Sequence, residues 1–171
     1  MNVRENHDII IAHHPHYKSL NKKLVEDSLK IEFKEGSILE YEKISAKMTG
    51  MSISSSSISL VKEWLKQLIL TEWNYDTRAY GVEIPDAWFV RYSKGDQSFP
   101  HDHLMSLLSF VYFISCPKGS APLVFTTSGK KIKAEEGKVV LFPATVLHHV
   151  PKNKCEDRLV LAGNLFFTLK Y

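Results

Sequence analysis

The stretch WFVRYSKGDQSFPHDH, from Trp88 to His103, carries the pattern on which the interpretation of this sequence depends. It ends in His101, Asp102 and His103. In an extended strand, residues two positions apart point to the same side, so the two histidines share a face and Asp102 points away. Neutral imidazole is a good ligand for iron, zinc, copper or nickel. The stretch therefore predicts a strand that presents two ligands to one metal ion.

A second histidine pair, His148 and His149, follows downstream and offers two candidates for a third ligand. Arg158 comes ten residues after His148. It can hold a carboxylate, because a guanidinium binds this group through two parallel hydrogen bonds. The competing interpretation is a surface arginine beside Glu156 and Asp157. Three histidines followed by an arginine are the layout of a mononuclear metal oxygenase.

The composition is that of an ordinary soluble protein. The 171 residues suffice for one domain with a core, and the hydrophobic fraction is 44% and the charged fraction 24%. The net charge is +3 and the lysines are scattered, so no nucleic-acid partner is expected. No apolar run resembles a signal peptide or a membrane span. Cys116 and Cys155 form no CxxC or disulfide pattern, which predicts a cytoplasmic location.

The apolar periodicity divides the chain into a helical or mixed part, residues 1–85, and a β-rich part, residues 86–171. Helices are predicted over 21–31, with Asn21 as N-cap, and from Ile58 to about Trp73. Strands are predicted over 87–92, 107–115, 123–127, 138–142, 145–150 and 159–169. Short strands at regular spacing predict a sandwich or barrel, with the helices on one outer face. We expect a single domain over residues 1–171.

The sequence VRYSKGDQSFPHDH resembles the Tyr-x-x-Gly…His-x-Asp segment of prolyl 4-hydroxylase-type 2-oxoglutarate/Fe(II) oxygenases. A closer resemblance is to a small group of such oxygenases from marine bacteria and phages, with W-x-N-x-Y-x-x-G…H-x-H…L-S-G-V-Y-Y, then F-P-x-x-x-x-H-x-V and R…N. The matching residues are Trp88, Tyr92, Gly95, His101, His103, Leu108, Ser109, Val111, Tyr112, Phe142, Pro143, His148, Val150, Arg158 and Asn164. The resemblance covers about residues 86–167.

This resemblance implies a mainly β fold with N-terminal helices, the double-stranded β-helix or jelly roll that cupins also have, with the metal at the mouth of the barrel. It implies Fe(II) and 2-oxoglutarate as cofactors. The implied ligands are His101, His103 and His148. His148 is preferred to His149 because the family histidine stands two positions before a valine, here Val150.

The resemblance also implies contacts with 2-oxoglutarate. Arg158 would pair with its distal carboxylate, and Tyr92, Tyr112 and Asn164 would be further cofactor-binding residues. For the two tyrosines, a place in the core with a satisfied hydroxyl is an equal alternative.

The sequence departs from the family pattern at four positions. His103 stands where the two-histidine-one-carboxylate site has Asp or Glu. Asp102 offers a carboxylate nearby, but strand alternation turns it away. Val90 replaces an asparagine and Phe110 a glycine, and both changes are expected to reshape the pocket. Val160 replaces a serine two positions after the arginine, which removes one hydrogen bond to the co-substrate.

The expected function is that of an Fe(II)- and 2-oxoglutarate-dependent dioxygenase. Its partners would be 2-oxoglutarate, O2 and an unidentified prime substrate, which is a protein side chain, an amino acid or a small metabolite. Two alternatives are a three-histidine, cupin-like dioxygenase that does not use 2-oxoglutarate and a non-catalytic jelly roll that binds a metal or ligand. Fold class alone does not separate these functions.

Overall fold

Two antiparallel β-sheets packed face to face form the body of the protein in the computed structural model, which describes residues 8–36, 43–72 and 78–170. Within these ranges the elements are, in chain order, β1 (Ile10–His13), α1 (Tyr17–Ser28), β2 (Lys47–Met48), α2 (Ser56–Glu72), β3 (Tyr80–Tyr92), β4 (Ser98–His101), β5 (Leu108–Ser115), β6 (Leu123–Phe125), β7 (Lys131–Ile132), β8 (Lys138–Pro143), β9 (His148–Val150) and β10 (Arg158–Leu169).

The strand order is that of a double-stranded β-helix. The larger sheet has the order β1-β8-β5-β10-β3-β2, and the smaller sheet has the order β4-β9-β6-β7. From β3 onward the chain crosses repeatedly between the two sheets, and eight strands arranged in this way form a jelly roll. The fold class predicted from the sequence is therefore confirmed.

Strand alternation divides the apolar residues between two cores. On β10, Leu161 belongs to the core that also contains Leu24 of α1 and Leu65 of α2, so the helices cover the outer face of the larger sheet. Its neighbour Val160 belongs to the second core, between the sheets, together with Phe125 of the smaller sheet. The inner core surrounds the cavity described below.

The second predicted helix is confirmed as α2, which runs from Ser56 to Glu72. Its predicted end at Trp73 lies outside the described residues. The hydroxyl of Ser55 accepts a hydrogen bond from the Ile58 amide at 3.2 Å and caps the helix. Within the described ranges, no helix is long and apolar enough to cross a membrane.

The prediction for the first helix is wrong at its start. Helix α1 begins at Tyr17, so Asn21 lies inside it and is only 6% exposed. The Asn21 amide donates to the carbonyl oxygen of Ile114 at 2.7 Å and accepts a hydrogen bond from the Tyr112 hydroxyl at 2.8 Å. Asn21 is not an N-cap because its side chain instead joins α1 to β5.

The strands also differ from the predicted ones. β3 begins at Tyr80, so the expected boundary at residue 86 between the helical and β-rich parts falls inside a strand. The short edge strands β1 and β2 were not predicted. β4 ends at His101, and therefore Asp102 and His103 lie beyond the strand on which they were expected.

The buried hydrogen bonds of Asn21 generate a prediction about stability. Asn21→Ala should lower the free energy of unfolding by about 1–3 kcal/mol, because the Tyr112 hydroxyl and the Ile114 carbonyl lose a buried partner. Urea unfolding would measure the change. The control is Lys22→Ala, which alters an exposed residue of the same helix. A loss no larger than that of the control would contradict the prediction.

Candidate metal centre

Three histidines converge at one end of the space between the sheets. The potential ligand atoms of His101, His103 and His148 all lie within 4.8 Å of one another. β4 and β9 pair with His101 opposite His148, and the centroids of these two rings are 4.3 Å apart. The His103 ring lies 5.3 Å from each of the other two. One ion can bind three imidazoles in this arrangement and keep further positions open.

Backbone carbonyl groups orient two of these imidazoles. His101 Nδ1 lies 2.8 Å from the carbonyl oxygen of Phe99, and His148 Nδ1 lies 3.0 Å from that of Val146. A carbonyl only accepts hydrogen bonds, so each Nδ1 carries the proton. The lone pair of Nε2 is then free for a metal ion.

The three imidazoles are in the uncharged form that metal ions bind. Burial lowers the pKa of His148 to about 3, and the neighbouring His101 lowers it further in the same direction. Burial also lowers the pKa of His103, to about 4, and that of His101. At neutral pH all three rings are therefore unprotonated on the ligating side.

The structure brings together the same three histidines that the sequence analysis names as ligands. Neither His149 nor Asp102 belongs to the cluster. His149, on the other side of β9, places Nδ1 2.9 Å from the Thr126 hydroxyl. Among the residues that the structure describes, His13, His14 and His16, which surround Pro15 near the N-terminus, form no comparable group.

A cavity extends from the histidines between the two sheets to Arg158. Most of its wall is apolar, and the lining side chains include Val90, Val111, Leu123, Phe142, Val150 and Val160. Val90 and Val160 are paired neighbours on β3 and β10. Phe110 also lines the cavity, so all three of these departures from the family pattern lie in the wall. Asp102 also lines the cavity.

Arg158 is 0% exposed, so the interpretation as a surface arginine is wrong. Its Nε donates to the carbonyl oxygen of Ala121 at 3.1 Å. Its guanidinium carbon lies 4.5 Å from the centre of the Tyr92 ring and 5.5 Å from that of Phe113. These contacts hold the plane of the guanidinium but leave both terminal nitrogens, Nη1 and Nη2, without a hydrogen-bond partner.

The two terminal nitrogens of this buried guanidinium are available to a bound ligand or to water. Burial lowers the pKa of Arg158, but arginine stays charged in proteins. A buried charge without full hydrogen bonding is costly. A carboxylate would satisfy Nη1 and Nη2 together, because its two oxygens match the guanidinium fork.

The three other predicted cofactor contacts have different positions. Tyr92 lines the cavity and pairs with Arg158 in the β3–β10 register. Burial raises its pKa, which the charge of Arg158 opposes. Tyr112 lies in the core under the helices, where its hydroxyl binds Asn21, so its assignment to the cofactor site is wrong.

Asn164 lies six residues beyond Arg158 on β10, about 20 Å away at about 3.3 Å per residue. Its amide oxygen accepts a hydrogen bond at 3.0 Å from Ser109, which lines the cavity. A direct contact between Asn164 and a cofactor stays a prediction.

Sequence reasoning missed two partners of Arg158. The Ala121 carbonyl comes from a loop and carries no side-chain signal. Phe113 pairs with Val160, two positions from Arg158 on β10, so only the strand register would have indicated it. Both residues position the guanidinium, and neither belongs to a motif.

Solved structures share this fold. Over 92% of this chain and 94% of that chain, the protein is similar to a viral collagen prolyl hydroxylase from Paramecium bursaria Chlorella virus 1 in complex with 2-oxoglutarate, with a TM-score of 0.69 and 15% identity. It is similar to a Pseudomonas putida prolyl-4-hydroxylase over 94% and 92% of the two chains, with a TM-score of 0.70 and 16% identity.

A third similar structure is HygX from Streptomyces hygroscopicus with nickel and 2-oxoglutarate bound. The match covers 92% of this chain and 82% of that chain, with a TM-score of 0.67 and 9% identity. No family model and no curated protein sequence matches the chain. At such identities the comparisons establish the shared fold.

The ligand geometry generates a prediction about metal binding. His101→Ala and His148→Ala should each weaken Mn(II) binding by more than about 100-fold, since loss of an outer-shell partner alone costs about 10–100-fold. His149→Ala should leave the affinity almost unchanged, because this ring faces Thr126. Calorimetry would measure the affinities. Loss of binding in His149→Ala but not in His148→Ala would contradict the ligand assignment.

The lowered pKa values predict how the metal-free protein responds to acid. Below pH 6.5 the histidines of the unfolded chain become protonated, whereas His103 and His148 stay neutral in the folded protein. The free energy of unfolding therefore decreases as the pH is lowered toward their folded pKa values, about 4 for His103 and about 3 for His148. Between pH 7 and pH 5, each group should cost about 1–2 kcal/mol.

Urea unfolding at the two pH values, with a chelator present, would measure this loss. His148→Gln should show a smaller loss than the wild-type protein, because one titrating group is gone. Equal losses in the two proteins would show that His148 does not contribute.

Proposed function

We propose that the protein is an Fe(II)- and 2-oxoglutarate-dependent dioxygenase. The observation that carries the proposal is one cavity that joins three neutral imidazoles to the unpaired terminal nitrogens of buried Arg158. Such a cavity suits a ligand with a metal-chelating group at one end and a carboxylate at the other. The 2-oxo acid and the distal carboxylate of 2-oxoglutarate are these two groups.

The donor atoms of the site fit iron. Imidazole nitrogen is a suitable ligand for Fe(II), and three such ligands leave positions for a chelating 2-oxo acid and for O2. When bound, these groups supply the oxidising chemistry, in which 2-oxoglutarate is converted to succinate and carbon dioxide as a substrate C–H bond is oxidised. Solved structures of the same fold hold 2-oxoglutarate, in one case together with nickel, which supports this proposal.

The residues of the chain orient the co-substrate and exclude water. Arg158 binds the distal carboxylate at the inner end of the cavity, while Tyr92 and Phe113 keep the guanidinium plane in place. Val90 and Val160 form part of the apolar wall between the two ends. The low polarity of this wall strengthens the electrostatic attraction between the Arg158 guanidinium and the distal carboxylate.

The buried arginine favours this function over the first of the two alternatives, and turnover separates it from the second. A three-histidine dioxygenase that does not use 2-oxoglutarate would leave Nη1 and Nη2 of Arg158 without a ligand. A non-catalytic binding protein would bind 2-oxoglutarate but release no succinate. Succinate release that depends on iron and O2 separates the oxygenase from both.

The proposal has three finer parts. Membership of the marine bacterial and phage group is supported by the motif positions between Trp88 and Asn164. The prime substrate is proposed to be a protein side chain, an amino acid or a small metabolite, and solved structures of the same fold hold a peptide in one case and hygromycin B in another. A cytoplasmic location is supported by the cysteines, both of which are free.

The position of Arg158 generates a prediction about co-substrate affinity. Arg158→Ala should weaken 2-oxoglutarate binding by roughly 30-fold or more, since loss of one partner from a buried charge pair costs about 2–5 kcal/mol. Metal affinity should change little, because the arginine lies at the other end of the cavity. Calorimetry with Mn(II) in place of Fe(II), under nitrogen, would measure both affinities without turnover.

Tyr92→Phe is the matched control. It keeps the ring under the guanidinium and removes only the hydroxyl, so its effect should stay near the roughly 1 kcal/mol of one hydrogen bond. Unchanged 2-oxoglutarate affinity in Arg158→Ala would refute the role of this residue. If the wild-type protein binds metal but no 2-oxoglutarate, the three-histidine alternative is favoured instead.

A further inference from the structure

The three histidines of the metal centre are not held in the same way. His101 and His148 each place Nδ1 on the backbone carbonyl two residues earlier in the chain, at Phe99 and Val146. Both residues also lie on strands that pair with each other. Such an outer partner fixes the tautomer and orientation of a ligating imidazole and increases its basicity.

His103 has no equivalent support. In the part of the chain that the structure describes, neither ring nitrogen of His103 has a hydrogen-bond partner, and its ring neighbours are the other two histidines and Trp88, whose ring centre is 6.1 Å away. Its backbone amide donates to Ala144 at 2.8 Å, which holds the main chain but not the imidazole.

His103 is only partly buried and adjoins an exposed segment. It follows the end of β4 and precedes Leu104 and Met105, which are 67% and 87% exposed. An imidazole at this position can rotate into solvent without breaking a hydrogen bond to the protein. The same rotation of His148 would break its bond to Val146 inside the buried part of the cluster.

We propose that His103 is an exchangeable ligand, bound more weakly than His101 and His148, which can leave the ion and open a coordination position at the mouth of the cavity. This inference rests on the metal binding proposed above. Its physical basis is that an untethered side chain loses more rotamer freedom on binding and has no partner to increase its basicity.

Removal of each histidine in turn tests the inference with Co(II), measured by competition with a chromophoric chelator. His103→Ala should bind Co(II) within about 10-fold of the wild-type protein, whereas His101→Ala and His148→Ala should lose more than about 100-fold. Free imidazole should restore the affinity of His103→Ala, because the vacated position is open to solvent.

The outcomes separate the two proposals. Equal losses in the three variants would overturn the exchangeable role of His103 and leave the metal site intact as a proposal. Failure of the wild-type protein to bind Co(II) would overturn both.

Proton NMR of the Co(II)-loaded wild-type protein tests the same inference without a substitution. The Nδ1 protons of His101 and His148, held by backbone carbonyls, should give two shifted signals that exchange slowly with deuterium oxide. A proton on His103 should exchange fast, since it has no acceptor in the protein. Three equally protected signals would contradict the inference.

Discussion

The antiparallel pairing of β4 with β9 is the constraint on which the site depends. This pairing places His101 opposite His148, although the two residues are far apart in sequence. The Nδ1 atom of each histidine lies within hydrogen-bond distance of the carbonyl oxygen two residues earlier, so the two ligands share one local geometry. If the two strands slipped by one residue, one imidazole would move to the other face of the sheet and the pair of ligands would be lost.

The second determinant of the site is the electrostatic state of its inner end. Arg158 is enclosed by aromatic rings and one carbonyl, and its two terminal nitrogens have no partner. The folded protein therefore maintains a buried positive charge that a bound carboxylate would stabilise. The three imidazoles at the other end carry no charge, so a bound divalent ion would keep its own. The cavity is thus suited to a dianionic ligand, and 2-oxoglutarate is one.

The sequence allowed the fold and the metal centre to be predicted where local patterns and chemistry agree. Three local signals predicted structure: the apolar run of β5, the helical period of α2, and the spacing of His101 and His103. The histidine spacing predicted the shared site although His103 lies beyond the end of β4. Two irregular residues after the end of β4 still bring the His103 ring to the cluster.

The sequence did not predict which of the two cores a side chain enters or which partner it binds there. Tyr112 occupies a position of the family pattern, yet it faces the helices because alternation along β5 directs it there. Asn21 has the residue type of an N-cap, but it lies inside α1. Its amide there donates to the carbonyl oxygen of Ile114 and accepts from the Tyr112 hydroxyl. The burial of Arg158 depends on a loop and on neighbouring strands, which no motif specifies. Contacts between distant elements decided each of these cases.

A crystal structure of the protein with Mn(II) and N-oxalylglycine, an unreactive analogue of 2-oxoglutarate, tests the central claim most directly. The account predicts that the ion binds Nε2 of His101 and His148 and that the analogue chelates it. The distal carboxylate of the analogue should accept hydrogen bonds from Nη1 and Nη2 of Arg158. An analogue bound to the metal with its carboxylate directed away from Arg158, or an ion held elsewhere in the protein, would contradict the account.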